Sequence, residues 1–400
     1  MVSSNENNAR RQVIETAENT SAPRICMPTF RNFARAAFRC GLYEAQDVLA
    51  EIDDVDLIRL DAAPGLARKE SWLKQAAYHD PSRQFMFLNP GLKRIRLNRE
   101  YDLFVAVCQY YHDILYINAL DGWKDRCKTS VCWIDELWAW ALPRYKYWLH
   151  ALSRFDHIFV GCLGTVAPLS RALGRPVHWF PGAADTIRFS PHPNPPGRVI
   201  DVYSIGRRWN GIHRSLLQAA SRREIFYLHD TFAGADALTY DHRQHRDLLA
   251  NVAKRSRFFV VAPARMDSPE YTQGQPEIGF RYYEGATAGA VMIGQQPKTE
   301  AFQEMFPWPD AVVEIQPDGS DVLEVLAALN SEPERVSAMS QRNVQEALLR
   351  HDWAYRWKKM LSVAGIQPTP RMAARERRLK ELADLTTAPL ENIAIRRRPL

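Results

Sequence analysis

The sequence predicts an α/β protein of two domains, each built on a parallel β-sheet covered by helices. Near-continuous apolar runs, such as residues 101–108 and 257–261, alternate with helix-length segments along the chain. Strands that are buried on both faces of a parallel sheet have this composition, and their alternation with helices indicates a layered α/β architecture. The chain has 400 residues, more than one hydrophobic core usually organises. The proline-rich segment 191–197 separates the two halves.

Most of the first half has a clear pattern of apolar residues. The segment 32–50 has helical apolar spacing, and the tryptophan-rich segment 137–152 is predicted as another helix. Residues 61–99 are mixed and favour no element. Strands are predicted at 55–60, 101–108, 130–134 and 156–161, with a closing segment at 177–180.

The same alternation restarts after the proline-rich segment. Strands are predicted at 199–205, 224–228, 257–261, 290–293 and 311–315. Helices are predicted at 241–256, 321–329, 334–349 and 353–363. Proline cannot join a sheet ladder and stiffens a connection, so we place the domain boundary within 191–197. The predicted division is a disordered tail at 1–22, domains at 23–193 and 194–365, and a basic tail at 366–400.

The charge of the chain is concentrated in this last segment. The formal net charge is +6, and residues 366–400 hold eight Lys or Arg against four Asp or Glu. The rest of the chain is therefore near neutral, which argues against a nucleic-acid-binding face. The end of the chain is predicted to be disordered, although a basic amphipathic helix at 372–384 would allow contact with an anionic membrane.

Two further features of the sequence concern the cellular compartment of the protein. The six cysteines show no CxxC spacing or paired framework, which favours a reducing environment. Residues 1–22 are polar and have no apolar core of a secretory signal. No stretch reaches the roughly 18–20 apolar residues that would cross a membrane. We therefore expect a cytoplasmic protein without a transmembrane segment.

One carboxylate stands in a run of small residues. Glu284 is followed by Gly, Ala and Thr residues at 285–290 and then by a short apolar strand. Small residues let a flat group approach the backbone, and a carboxylate can accept hydrogen bonds from two neighbouring hydroxyls. We therefore interpret the segment 279–294 as a pocket for a nucleotide sugar.

Several segments resemble the GT-B glycosyltransferases, closest to the group 1 and family 4 members and their spore-maturation-protein-like branch. Segment 155–191 is similar to the end of the family's first domain, although it lacks the family's asparagine; 203–208 resembles the donor loop of the second domain. Segment 284–293 resembles the block that carries the nucleotide-binding glutamate. The resemblance covers roughly residues 155–363 and implies two Rossmann-like domains whose parallel sheets face each other across a cleft. The domain 23–193 would bind the acceptor and 194–365 the nucleotide sugar.

The resemblance implies a donor-binding role for one set of residues in the second domain. In the family the glutamate of this block binds the ribose, which assigns Glu284, and an arginine precedes it as Arg281 does here. Guanidinium groups stay charged and bind phosphate oxygens bidentately. The complete set of predicted donor-binding residues is Gly206, Arg207, Arg208, Glu277, Arg281, Glu284, Gly285 and Gly289.

Each of the charged residues in this set has a structural alternative. Arg207 and Arg208 would otherwise be exposed loop residues, and Arg281 would pair with Glu277 or Glu284. No lysine follows Arg207 as it does in the family. Glu277 lies seven residues before Glu284 where the family has eight, so it is alternatively a carboxylate at a helix N-terminus.

Candidate catalytic residues follow two strands of the first half. His112 comes after the strand 101–108, near a position where family members often carry a histidine, and Asp135 and Glu136 follow the strand 130–134. An inverting mechanism needs a general base near the acceptor hydroxyl, and any of the three could supply it. A retaining, family-4-like enzyme would not need one.

The predicted function is therefore transfer of a sugar from a UDP or GDP donor to an acceptor hydroxyl, with a retaining outcome preferred. The acceptor would be a glycan, a lipid, a natural product or a protein, and no metal or other cofactor is expected, nor a nucleic-acid partner. Two alternatives share the architecture. One is a nucleotide-sugar epimerase, and the other is a non-catalytic binding or scaffold protein, which the absent lysine and the shifted Glu277 favour.

Overall fold

The computed structural model describes residues 22–230 and 237–387, and the chain forms two parallel sheets. The strands of the first half are β1 (Ile25–Thr29), β2 (Val55–Arg59), β3 (Ile95–Arg96), β4 (Tyr101–Tyr110), β5 (Leu120–Asp121), β6 (Cys127–Glu136), β7 (His157–Val160) and β8 (His178–Trp179). Six of them form one sheet in the order β2-β1-β4-β6-β7-β8, with every pairing parallel. β3 and β5 pair separately.

The second sheet has five strands. They are β9 (Ile200–Ser204), β10 (Tyr227–His229), β11 (Ser256–Val261), β12 (Val291–Gly294) and β13 (Val313–Glu314). Their order is β10-β9-β11-β12-β13, again with every pairing parallel. The chain passes from the first sheet to the second between residues 179 and 200, through the proline-rich segment.

Helices cover both sheets. In the first half they are α1 (Cys40–Ile52), α2 (Leu66–Tyr78), α3 (Trp123–Arg126), α4 (Leu163–Leu173) and α5 (Thr186–Phe189). The second half has α6 (Asn210–Ser221), α7 (His242–Lys254), α8 (Pro269–Thr272), α9 (Phe280–Thr287), α10 (Glu300–Met305), α11 (Val322–Ser331), α12 (Pro333–Arg350), α13 (Trp353–Val363) and α14 (Pro370–Asp384). Short 3-10 segments lie at Ala37–Arg39, Phe85–Phe87, Tyr111–Ala119, Ala139–Tyr145, Trp148–Arg154 and Leu385–Thr387.

The central strands of the first sheet divide their side chains between two cores. On β4, Phe104 and Ala106 face one core, while Val105 and Val107 face the other. Successive side chains of a strand point to opposite faces, so a sheet that is covered on both sides needs apolar residues at every position. The continuous apolar run at 101–108 follows from this geometry.

The helix α13 returns to the first domain. Trp353 and Trp357 of α13 are fully buried in the same core as Trp133 of β6, with ring centroids 5.8 and 6.0 Å from it. α13 therefore completes a core of the first domain, whereas the predicted division places residues 353–363 in the second domain.

The helix α14 lies within the segment that we predicted as a basic tail with a disordered end. It buries Met372 and Leu379 on one face, and Arg375 forms ion pairs with Asp352 and Asp185 at 2.9 and 2.7 Å. One apolar face and buried ion pairs hold these residues against the body, so 370–384 is a packed helix. The tail predicted at 1–22 falls almost wholly outside the described residues, as do residues 388–400.

Candidate functional site

The carboxyl ends of the two sheets lie opposite each other and are joined by polar contacts. Glu136, the last residue of β6, forms an ion pair with Arg265, which follows β11. Arg265 also donates to the Tyr110 hydroxyl at the end of β4, at 3.3 Å. In open α/β sheets ligands bind outside the carboxyl ends of the strands, so this is the edge at which a site is expected.

The loop after β9 holds three of the predicted donor-binding residues, Gly206, Arg207 and Arg208. Gly206 has a φ of +74°, which favours glycine, and its N–H donates to the Asp230 carboxylate at 3.0 Å. Arg208 donates to the carboxylate and the carbonyl oxygen of the same Asp230. The Nη1 of Arg208 is buried and has no acceptor among the described residues. A buried donor without a partner is costly. The nearby Tyr227 hydroxyl is a further group with which the Arg208 guanidinium interacts.

Arg281 lies directly beside this loop. Its Nε donates to the Ile205 carbonyl at 3.3 Å, and its Nη2 lies 3.4 Å from the position that a Cβ on Gly206 would occupy. Its Nη1 forms an ion pair with Glu284 one turn along α9. The structure therefore brings Gly206, Arg208, Arg281 and Glu284 to one end of the second sheet.

Glu284 belongs to a buried ion-pair network that crosses between the domains, formed by Glu44, Arg246, Glu284 and Arg281. Arg246 of α7 pairs with Glu284 through Nη1, and its Nε and Nη2 donate to the two oxygens of Glu44 on α1 at 2.8 and 3.0 Å. The side chain of Glu284 is 0% exposed. The two guanidinium groups lower the pKa of Glu284 to about 2 against the opposing effect of burial. Glu284 is thus a buried anion that is paired with two cations.

Glu44 is the residue of this network with the most partners. Besides Arg246, it accepts hydrogen bonds from the Asp185 N–H at 2.9 Å and from the Trp353 indole at 3.2 Å. Glu44 lies on α1 of the first domain. It therefore connects the ion-pair network both with Asp185, in the segment between the two domains, and with the helix α13.

Glu277 has a structural role that agrees with the alternative left open by the sequence. Its oxygens accept the N–H groups of Leu163 and Gly164, both at 2.9 Å, at the N-terminus of α4. Gln275 donates to it as well, at 2.7 Å. Backbone N–H groups at a helix start have no partner within the helix, and a carboxylate there is favourable. Glu277 thus caps a helix of the first domain instead of meeting the Gly206 loop.

The remaining predicted donor residues make no side-chain contact with Arg208 or Arg281 among the described residues. Arg207 points to Asp267, with which it forms an exposed ion pair at 2.6 Å. A Cβ on Gly285 would lie 2.8 Å from the Phe259 ring, so this glycine is explained by close packing of α9 on the sheet. Gly289 has a φ of +67° just after α9, and a Cβ there would lie 2.7 Å from Val344.

The three candidate catalytic residues lie in different environments. His112 stacks on Tyr110, and burial lowers its pKa to about 4, so the ring is neutral at pH 7. Glu136 accepts from the Trp138 indole at 3.0 Å in addition to its ion pair with Arg265. Both groups are therefore engaged by neighbouring side chains.

Asp135 is the candidate whose protonation changes near neutral pH. Burial raises its pKa to about 7, and the negative charge of Glu136 adds to the effect, while a hydrogen bond from Gln109 at 2.8 Å opposes it. A Cβ on Gly161 would lie 2.3 Å from the Asp135 carbonyl oxygen, so the neighbouring strand end must be glycine. A half-buried carboxyl with such a pKa is suited to accept a proton.

A recess of about 550 Å³ lies away from this edge, on the first domain. It is formed by α4 and the two 3-10 segments that follow β6. None of the predicted site residues is among the described residues that line it. Among the same described residues, no group of three or more His, Cys, Asp or Glu is arranged to hold a metal ion, and no helix is long and apolar enough to cross a membrane.

Comparisons with known proteins agree with this architecture. Residues 207–362 match a family model described as glycosyl transferase-like. Among solved structures, the chain is similar to an α,α-trehalose-phosphate synthase (UDP-forming) from Burkholderia vietnamiensis, with a TM-score of 0.54 and 10% identity over 86% of this chain and 99% of that one. It is also similar to an α-glucosyltransferase in complex with UDP, with a TM-score of 0.50 and 11% identity over 86% and 99% of the two chains. No curated protein sequence matches the chain.

The chain has the GT-B fold, and residues 207–362 are similar to a glycosyl transferase-like family. The predicted fold class, with two Rossmann-like domains and parallel sheets across a cleft, is thereby confirmed. The family match begins at residue 207, so it includes Arg208, Arg281 and Glu284 of the site described above.

Some residues of this GT-B site could not have been found from the sequence. Glu44 and Arg246 are 202 positions apart, and neither lies in a motif. Asp230, which holds Gly206 and Arg208, and Arg265, which reaches Glu136 across the cleft, are single charged residues in loops. The spacing of seven between Glu277 and Glu284 was the one available signal, and it agrees with the capping role of Glu277.

Proposed function

We propose that this GT-B protein transfers a sugar from a nucleotide-diphosphate donor, UDP- or GDP-linked, to the hydroxyl of an acceptor. The observation that carries the proposal is the convergence of Arg208 and Arg281 beside the Gly206 loop, at the carboxyl end of the second sheet. Negative charge develops on the diphosphate as the glycosidic bond breaks, and preorganised cations stabilise it. The buried Nη1 of Arg208, which has no acceptor among the described residues, is available for a phosphate oxygen.

The proposal assigns the ribose to Glu284, which requires a local rearrangement. Of the two arginines on Glu284, the side chain of Arg281 is 29% exposed and that of Arg246 only 3%. Movement of Arg281 alone would uncover one carboxylate oxygen while Arg246 keeps the other. The same movement would free the Arg281 guanidinium beside Gly206, where the diphosphate is proposed to lie.

In this proposal Arg208 and Arg281 neutralise the charge of the diphosphate, as a metal ion does in other transferases. They carry fixed positive charge and bind phosphate oxygens directly, so turnover is expected to continue in the presence of a chelator. We propose a retaining outcome, as the family-4 resemblance implies. Asp135 is the residue that would act as base if the outcome were inverting, since its pKa is raised to about 7.

Calorimetry with UDP, GDP and their sugars tests the donor site. Wild-type protein is expected to bind one of the two nucleotides, and R208M and R281M are each expected to weaken binding roughly tenfold or more, because each removes charge-assisted bonds to phosphate. R207Q is the matched control, since Arg207 lies in the same loop but pairs with Asp267. Equal losses in R207Q and R208M would contradict the assigned geometry.

Product analysis then tests the catalytic step. The anomeric configuration of the transferred sugar, measured by proton NMR, identifies a retaining or an inverting reaction. With an inverting outcome, D135N should lower kcat roughly 100-fold or more while leaving nucleotide affinity unchanged. A retaining enzyme with a fully active D135N variant would remove Asp135 from the mechanism.

The burial of Glu284 favours a second candidate, a non-catalytic GT-B scaffold. In this state both carboxylate oxygens are engaged by arginines and the side chain is 0% exposed. A scaffold would show no nucleotide binding at millimolar concentration, and E284Q would alter its stability alone. Nucleotide binding that E284Q weakens would exclude this candidate.

A further inference from the structure

A recess between the two domains is lined by arginines and has no role in the donor site. Its volume is about 290 Å³, and Arg31, Arg35 and Arg59 of the first domain face residues 239–243 of the second across it. Arg59 is the last residue of the edge strand β2, and Arg35 follows the neighbouring strand β1. The recess therefore opens at the same carboxyl edge of the first sheet as Asp135. We call it the arginine recess.

The arginine recess has more positive charge than its carboxylates neutralise. Asp47, which lies next to the recess but outside its lining, contacts Arg31, His242 and Arg243 at 2.8, 2.8 and 2.9 Å, so one carboxylate serves two guanidinium groups and an imidazole. Asp241 is the one carboxylate among the described lining residues, and it accepts the first N–H groups of α7.

Among residues 22–230 and 237–387, two further guanidinium groups in the arginine recess have no carboxylate partner. Within these ranges Arg35 donates to the Asn32 carbonyl alone, at 3.0 Å, and Arg59 pairs with no side chain. Both are exposed, so water solvates them, and they remain available to a ligand.

An aromatic ring stands beside these charges. Tyr240 is 93% exposed, and the Arg35 guanidinium lies over its ring, 5.7 Å from the centroid. An exposed aromatic ring offers an apolar face that can stack on a sugar, and guanidinium groups select phosphate or carboxylate oxygens. Together they favour a negatively charged carbohydrate over a neutral one.

The arginine recess adjoins the donor site through α7. His242 and Arg243 lie in the first turn of this helix, and Arg246, which holds Glu284, is three residues further on. Three residues advance a helix by about 4.5 Å. A ligand bound beside Arg243 would therefore lie next to the network that holds the proposed ribose carboxylate.

We propose that the arginine recess binds the anionic group, a phosphate ester or a carboxylate, of a negatively charged sugar. Its role as the acceptor subsite rests on the proposed glycosyltransferase function. Arg35 and Arg59 would hold the anion, and Tyr240 would stack on the ring. The proposal narrows the acceptor to an anionic carbohydrate whose hydroxyl points towards the cleft.

The test is calorimetry with glucose 6-phosphate, glucuronate and glucose as probes, on the full-length protein. Wild-type protein should bind at least one of the two anions and should bind glucose at least tenfold more weakly. The R35Q/R59Q variant should lose about tenfold or more of the anion affinity, since two charge-assisted contacts are removed. Preference for the phosphate or the carboxylate probe identifies the anion class.

The matched control is R96Q/R377Q. Both of these arginines are exposed, lie outside the recess and have no side-chain partner among the described residues, so the variant has the same net charge as R35Q/R59Q. It should bind the anions as the wild type does. Equal affinity of wild type and R35Q/R59Q, or no binding of either anion to the wild type, would overturn the proposal.

A parallel titration with UDP and GDP separates this proposal from the proposed function. Nucleotide binding that R35Q/R59Q leaves unchanged, together with lost anion binding, supports both. If the protein binds anionic sugars through Arg35 and Arg59 but no nucleotide, the recess remains a ligand site and the transferase function fails. If it binds nucleotide but no anionic sugar, the recess proposal alone fails.

Discussion

Replacing Arg246 by methionine tests whether the network between the domains stabilises the fold. The R246M substitution keeps an unbranched side chain of similar length but removes three charge-assisted hydrogen bonds, two to Glu44 and one to Glu284. Glu284 would keep Arg281, and Glu44 would keep the Asp185 N–H, the Trp353 indole and an ion pair with Arg188 at 3.5 Å. Two buried carboxylates would nevertheless each lose a cation.

The expected loss in the free energy of unfolding is about 3–5 kcal/mol, the usual effect of removing one partner from a buried ion pair. The three bonds would sum to more at about 1.5–3 kcal/mol each, but the arginine no longer has to be desolvated. Urea unfolding followed by circular dichroism measures the change. R243Q, on the same helix, is the control: its side chain is 61% exposed, so a loss below about 1 kcal/mol is expected. A loss below about 1 kcal/mol in R246M as well would refute the reasoning.

Three further predictions concern single positions. The folded-state pKa of Asp135 is raised to about 7, so the folded state favours the neutral carboxyl. Relative to D135N, the wild type should therefore lose free energy of unfolding as the pH rises from about 4 through 7. A difference between the two proteins that does not change with pH would contradict this. G285A should cost about 1–3 kcal/mol by overpacking against Phe259, whereas G197A, where a Cβ meets nothing within 4 Å, should be neutral in the same thermal scan. R375M should make α14 sensitive to limited proteolysis because its ion pairs with Asp352 and Asp185 are buried, and R377Q, exposed on the same helix, should not.

The sequence was informative where local pattern and tertiary structure agree. The apolar runs predicted most of the central strands to within a few residues, because a parallel sheet covered on both faces requires them. The apolar run after the small residues predicted a strand at 290–293, which matches β12 to within one residue. Both predictions depend on neighbours in the sequence, which pattern alone can describe.

Two elements of the first half differ from the predictions for identifiable reasons. β1 was missed because Pro28 lies inside it, and proline cannot donate to a sheet ladder; it nevertheless pairs opposite Ile58 in the structure. The segment 137–152 was predicted as one helix but forms two 3-10 segments, the first of which contains Pro143. Proline removes a backbone donor and disfavours a continuous α-helix.

The pairing of Glu284 follows from the packing that made it noticeable in the sequence. Gly285 and Ala286 let α9 approach Phe259 and Met292 so closely that the side chains of the helix facing the sheet are fully buried. A carboxylate in such a position would be strongly destabilising without compensation. Compensation had to come from a cation on another element, since a charged neighbour on α9 itself, Arg281, satisfies only one oxygen. Arg246 supplies it, and its own desolvation in turn requires Glu44 from the other domain. The small residues thus account for a buried network that spans two domains, although they carry no information about which residues complete it.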